Sequence, residues 1–388
     1  MRPTFLVRAC AAVAGLACLL PAPAWGASLR QRLSAALAGY HGAGTGAIAV
    51  DLATGKAVFA HNAGASLLPA SNEKLALTYA ALVVLGPTFR MRTELLGEGH
   101  LRDGVVWEGD LVLRGYGDPT LDRDGLLALA RNLRDSGIRR VTGGLIADES
   151  YFDARRSGPG WKSYFVPGES SPLSALSIGG ADALATAKAM REALRAAGVR
   201  VRGPTRRAQA GGWPLAVRYS PPLPEILRQM DVESDNHTAE LVLKQLGAVA
   251  GRAGSTAAGA AIVHAALAEH AVPLGGVRIA DGSGLSSLDR MTPKALVTIL
   301  QRAWSDPDLG PVLAGCLAVA GREGTLHHRM QAAPARGNVR AKTGTLTNAS
   351  ALSGYVRERY AFAILQNGSR LGSAHEAQDR FAEVLAAQ

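Results

Sequence analysis

The chain has 388 residues, of which 47% are hydrophobic and 19% charged, enough apolar content for a large core and more than one lobe. Its formal net charge is +10, carried mostly by arginine, since only seven of the 42 basic residues are lysines. A basic surface suits anionic polymers, but no zinc-finger spacing or nucleic-acid-binding signature accompanies the charge, so no nucleic-acid partner is expected.

The first 26 residues combine a basic head (Arg2, Arg8), an apolar stretch from Ala9 to Leu20 and the small-x-small site Ala24-Trp25-Gly26. The pattern predicts a secretory signal peptide cut after Gly26, hence a periplasmic protein, free or peripherally attached to membrane or wall. The apolar run is too short to span a bilayer, and nothing later reaches the length of a transmembrane helix. Gly15 argues against a lipoprotein reading of Cys18. Cys10 and Cys18 would leave with the leader, so Cys316 has no partner for an internal disulfide.

"SLRQRLSAALAGY" reads as a surface helix and "GAIAVDLATGKAVFAHNA" as a hairpin turning at Ala53-Thr54-Gly55-Lys56. A helix follows from Ser71. Residues 91–218 change texture: "GVVWEGDLVLRG" reads as a strand pair, "DGLLALARNLRDSG" as a helix stopped by Gly137, "VTGGLIADESYF" as a strand and "ADALATAKAMREALRAAG" as a helix. Pro221, Pro222 and Pro224 mark the return. Four helical stretches follow, "PEILRQM", "HTAELVLKQLGAVA", "STAAGAAIVHAALAEH" and "TPKALVTILQRAWS". "NVRAKTGTLT", "ASALSGYV" and "RYAFAILQNG" read as strands, the last two joined by a tight turn at Arg357-Glu358, and a closing helix runs from about Ala374. Both ends of the chain thus supply strands, which predicts one antiparallel sheet built from residues 27–90 and 219–388. The fold class is mixed α/β (α+β), with residues 91–218 as an inserted smaller α/β domain.

Three short segments carry chemistry. Ser71 and Lys74 lie three apart at a helix start, so their Cβ atoms are about 5–6 Å apart on one face. A serine hydroxyl needs a base to become a nucleophile, and lysine is one only when neutral. Bringing its pKa from about 10.4 to near 7 takes about 4–5 kcal/mol, from burial and the positive helix end. Taken alone, S-x-x-K reads first as an N-cap followed by an exposed lysine, since the match is common by chance. Ser234-Asp235-Asn236 sits between two helices, where it reads as a cap and turn, or as a relay hydroxyl (Ser234) with an amide (Asn236) that holds substrate. Lys342-Thr343-Gly344 lies on a strand whose glycine would let substrate approach closely.

S-x-x-K, S-D-N and K-T-G in this order are the motif set of serine β-lactamases and penicillin-binding proteins. The chain resembles the D-alanyl-D-alanine carboxypeptidase/endopeptidase family of low-molecular-weight penicillin-binding proteins, the S13 peptidases, from about residue 30 to 380. "GYGDPTL" (115–121), "ADGSGLS" (280–286), "AGREGTLHHR" and "VRAKTGTL" carry that narrower likeness. The bare reading of "DGSGL" is a polar turn doing structural work at the cleft edge. The insert is shorter than in larger members, and Thr347 stands where some relatives carry a longer amide side chain.

The resemblance implies a serine β-lactamase/DD-peptidase-like transpeptidase domain, an antiparallel sheet flanked by helices. It makes Ser71 the acylated nucleophile, Lys74 the base, and Ser234 and Asn236 the relay and amide-binding pair. Lys342, Thr343 and Gly344 line the cleft, and Thr345 binds the substrate carboxylate. The N–H groups of Ser71 and Thr345 form the oxyanion hole. Asp148 and Arg329 grip the free end of a diaminopimelate side chain; read as residues, they are a surface charge pair. The implied partners are peptidoglycan stem peptides and, as acylating inhibitors, β-lactams. No cofactor or metal is called for, and the adjacent His327 and His328 have no ligand spacing. Two rivals stand beside this reading. A β-lactamase would need a deacylating carboxylate, and Glu73, the nearest in sequence, points off the face of Ser71. A non-catalytic wall-binding protein would not be labelled by penicillin.

Overall fold

The computed structural model describes residues 27–40, 44–368 and 370–388; the signal-peptide expectation for residues 1–26 lies outside them. Helix α1 (Leu29–Ala38) starts with a reciprocal capping box between Ser28 and Gln31. Strands β1 (Gly44–Asp51) and β2 (Ala57–His61) form the first hairpin. A 3-10 turn, Ala70–Asn72, leads into α2 (Glu73–Leu85), which Gly86 ends at φ +81°. The intervening lobe contains β3 (Arg92–Arg102), β4 (Val106–Gly115), α3 (Arg123–Asp135), β5 (Arg140–Val141), β6 (Leu145–Asp148), the short α4 (Phe165–Gly168), α5 (Ala183–Ala196), β7 (Arg200–Val201), β8 (Thr205–Arg207) and β9 (Trp213–Tyr219). Helices α6 (Leu223–Glu233), α7 (Asn236–Val249), α8 (Thr256–Glu269), α9 (Pro293–Trp304) and α10 (Gly310–Cys316) follow. The chain closes with β10 (Ala318–Val319), β11 (Val339–Leu346), β12 (Ala349–Val356), β13 (Tyr360–Asn367) and α11 (Leu371–Ala386).

The first sheet has the order β10-β11-β12-β13-β1-β2 and is antiparallel throughout. The expected joining of the chain's two ends is the β1–β13 pairing, from Gly44↔Asn367 to Asp51↔Tyr360. The β12–β13 turn has positive φ at both Arg357 and Glu358, the handedness that matches strand twist. Successive side chains enter opposite layers. Ala361, Ala363 and Leu365 face the core of α2 and α6–α10, whereas Phe362 and Ile364 meet Phe381, Leu385 and Leu33 from α11 and α1. Both faces are covered, so the strands read as continuous apolar runs. Helix α2 is buried from Glu73 through Leu82.

The second sheet runs β7-β5-β4-β3-β9, with β6 on β4 and β8 on β6, around its own core. Here one expectation is corrected: "GVVWEGDLVLRG" is not a strand pair. Val106–Gly115 is a single strand paired with β3, and Gly109 is a close crossing, not a turn. It lies opposite Gly99, where a Cβ on either would come within 2.0 Å of the partner strand's carbonyl oxygen.

Candidate active site

The nucleophile turn is held from both sides. The Asn367 side chain at the end of β13 accepts from Leu68 N–H (2.9 Å) and donates to Leu68 O (3.1 Å). Ala70 then takes φ +46°, a left-handed kink just before Ser71. Buried Asn72 donates to Lys342 O (3.0 Å), tying the turn to β11. Two glycines let backbone approach this turn. A Cβ on Gly344 would lie 3.0 Å from Ser71 N, and one on Gly284 1.9 Å from Ala70 O. Gly344 therefore makes room for the protein's own nucleophile turn as well as lining the cleft.

Lys74 is fully buried, and its Nζ has three partners: Ser71 Oγ at 3.2 Å, Asn236 Oδ1 at 2.8 Å and the Ser283 carbonyl at 2.7 Å. The i,i+3 spacing thus brings amine to hydroxyl as the sequence predicts. Burial pushes the Lys74 ammonium down to about 8, against the opposing pull of Asp231, Asp281, Glu240 and Asp235. Lys342 is also fully buried, and is pushed down to about 7 by burial and by Lys74, against Asp231. The acids around them are driven the other way: burial lifts Asp231 to about 7 and Glu240 to about 8. Thr78, one turn beyond Lys74, donates to Asp231 (2.7 Å). Glu73 is buried among Asp281 and Glu240 and lifted well above the carboxylate range, and neither of its oxygens has a hydrogen-bond partner among the described residues.

The S-D-N triplet divides its work. Ser234 caps α6 in the left-handed region (φ 61°) and lines the cleft. Asp235 caps α7, accepting from His237 and Thr238 N–H. Asn236 gives its oxygen to Lys74 and one N–H to Glu169 O (3.0 Å), so one N–H remains for a substrate. On β11, backbone groups of alternate residues share an edge. Val339 O accepts from Ala320 N–H at that edge, and β10 covers only Arg340 and Ala341. At Thr343 and Thr345 the edge has no partner strand among the described residues and opens onto a cleft of about 550 Å³. Ser71, Ser234, Asn236, Thr343, Gly344 and Thr345 all line it.

Residues 29–183 and 165–388 match the pattern of the D-Ala-D-Ala carboxypeptidase 3 (S13) family. The chain belongs to that family. A D-alanyl-D-alanine carboxypeptidase from an Actinomadura strain is 31% identical, over 89% of this chain and 81% of its own length. Crystal structures of penicillin binding protein 4 (dacB) from Haemophilus influenzae share the fold. One has TM-score 0.84 at 23% identity, covering 91% of this chain and 99% of that one. Another, complexed with a novel β-lactam, has TM-score 0.76 at 25% identity, covering 92% and 98%.

Within this S13 peptidase fold, three expectations need correcting. Asp148 is not at the cleft: its carboxylate is fully buried on β6, accepting from Arg114 Nε (2.8 Å) and Ser150 N–H (2.9 Å). Arg329 does line the cleft, but it pairs with Asp379 (2.7 Å), and Glu169 is the acidic side chain on the lining. Lys342 lies beneath the cleft wall and donates to Thr343 O (3.1 Å). The "DGSGLS" loop is not an edge turn either. It runs buried under Ser71 and delivers the Ser283 carbonyl to Lys74. Its glycines were the available signal, because they mark close backbone approach. Thr325, inside "AGREGTLHHR", meets Thr343, and His375, outside every quoted segment, meets Thr345.

Proposed function

We propose that this chain hydrolyses the D-Ala-D-Ala bond of peptidoglycan stem peptides through an acyl-enzyme on Ser71, and opens D-centred crosslinks by the same chemistry. It is a serine-type D-alanyl-D-alanine carboxypeptidase of the penicillin-binding class. The observation that carries the mechanism is the partner set of Lys74 Nζ. A neutral amine has two hydrogens and one lone pair. Asn236 Oδ1 and Ser283 O can only accept, so they take the hydrogens, and the lone pair is left for Ser71 Oγ. Ser71 attacks the carbonyl carbon as its proton passes to Lys74. The oxyanion is held by the N–H groups of Ser71 and Thr345. The proton then moves by way of Ser234 to the leaving amine, the C–N bond breaks, and water hydrolyses the ester. Thr343 and Thr345 receive the terminal carboxylate, and the open β11 edge supports pairing with an extended peptide.

Residues 27–90 and 219–388 form the catalytic unit in this reading, with 91–218 inserted, and the protein works in the periplasm after export by its leader. β-Lactams acylate Ser71 and stay, because the nearest sequence acid, Glu73, is fully buried off the cleft lining, where it does not meet water. Glu169 and Arg329 on the cleft wall suit the ammonium and carboxylate of a diaminopimelate end. Wall fragments digested with purified protein and weighed by mass spectrometry test the proposal. Pentapeptides should lose one alanine and crosslinked dimers should split. A Ser71→Ala protein that still releases D-alanine overturns it.

A further inference from the structure

We propose that Trp161, on the inserted lobe, is a positioning residue for the general base: through the Asp281 carboxylate it holds the Ser283–Gly284 peptide so that the Ser283 carbonyl stays on Lys74 Nζ. The inference rests on the reading of Lys74 as the base of Ser71 acylation.

The geometry runs through one peptide plane. The Ser283 carbonyl and the Gly284 N–H belong to the same planar unit, so turning one end turns the other. The carbonyl end accepts from Lys74 at 2.7 Å, and the N–H end donates to Asp281 Oδ1 at 2.7 Å. The second oxygen of that carboxylate, Oδ2, accepts from Trp161 Nε1–H (2.7 Å) and Ser286 N–H (2.8 Å). Glu240 fixes the preceding turn by accepting from Gly282 and Ser283 N–H. The indole N–H is the donor to Asp281 that comes from outside the loop and from the other lobe.

The contact around Trp161 is close-fitted. A Cβ on Gly158 would meet Trp161 Nε1 at 2.4 Å, and one on Gly160 would meet Ser286 Oγ at 2.7 Å. Ser286 and Ser287 hydroxyls donate back to Pro159 O and Gly160 O. A few residues on, Glu169 O receives the Asn236 amide N–H. The inserted segment 158–169 therefore braces both obligate acceptors of Lys74, Ser283 O through Trp161 and Asn236 directly. Trp161 is not part of the cleft lining, so its loss leaves substrate contacts in place.

The test is Trp161→Phe in the full-length protein, with β-lactam acylation resolved into prior binding and first-order bond formation. The acylation rate constant should fall about tenfold, the size of one lost hydrogen bond to a charged group. The dissociation constant should stay within about twofold, and Trp161→His, which restores an N–H donor, should recover part of the rate. If Trp161→Phe does not fold, Ser286→Ala, which cuts the tie to Pro159, should show the same split. A variant that acylates at the wild-type rate constant overturns the proposal, as does one whose binding and rate fall together with its melting temperature. A wild-type protein that no β-lactam acylates overturns the acyl-transfer reading instead.

Discussion

Lys74 can take a proton from Ser71 only after losing its own, and burial brings that loss down to about pH 8. The groups facing it are Lys342, Asp231, Asp235, Glu240, Asp281 and Glu73, so the titration belongs to the cluster. The neutral fraction of a lysine grows as pH rises, and the lowered pKa of Lys74 moves that growth down to the region of about pH 8. The rate of labelling by a fluorescent penicillin should therefore climb from pH 6 and level off above about pH 8. A flat or falling profile would exclude Lys74 as the base. Gly344→Ala should cut labelling at least about a hundredfold, since the added methyl sits 3.0 Å from Ser71 N, in the space of the nucleophile turn. Gly284→Ala meets Ala70 O at 1.9 Å and needs φ +81°, so it should cost about 2–4 kcal/mol in denaturant unfolding.

Strand β6 shows how an element decides a side chain's job. It is sandwiched between β4 and β8, and its last residue, Asp148, turns inward to Arg114. Asp148→Asn should lower unfolding stability by about 1–3 kcal/mol, because the buried carboxylate loses its charge-assisted bond to the partly exposed Arg114 guanidinium. It should leave the KM of a diaminopimelate-containing substrate unchanged. Glu169→Gln should raise that KM about threefold or more, and should not affect a substrate whose side-chain amine is blocked. Steady-state kinetics on matched substrates separates the two. The Glu169 carbonyl that holds Asn236 is untouched by this change, so kcat should hold.

The two lobes have separate apolar cores yet share one catalytic arrangement, because Tyr164, Phe165 and Glu169 of one lobe line the cleft while the nucleophile comes from the turn that opens α2 in the other. The chain's basic excess surrounds this arrangement with a field that attracts polyanions and is screened within about 8 Å at physiological salt. Digestion of intact wall, a polyanionic mesh, should slow about threefold or more between low and physiological salt. Acylation by a small β-lactam should change less than about twofold. Equal salt sensitivity in both assays would place the electrostatic effect inside the cleft instead of on the surface.

Contacts within one turn or one hairpin could be read from residue order. Ser71 and Lys74 meet because three residues nearly complete a helical turn, and the 357–358 turn follows from strand alternation on either side. The three motifs pointed to a serine acyl-transfer cleft through their resemblance to a known motif set, since each alone reads as a cap, a turn or a surface strand. What Lys74 touches on its other sides was not legible. Ser283 is 209 residues away and Trp161 bonds Asp281 across 120, and no periodicity encodes such distances. Asp148 and Lys342 carried the right charges for a cleft, but burial and strand direction are properties of the closed fold, and both face inward. Residue order alone specified the 357–358 turn and the long strands of the first sheet, and put Ser71 within reach of Lys74. Which polar groups surround that pair, and so where its proton goes, was decided only when two sheets and a buried loop closed around it and excluded water.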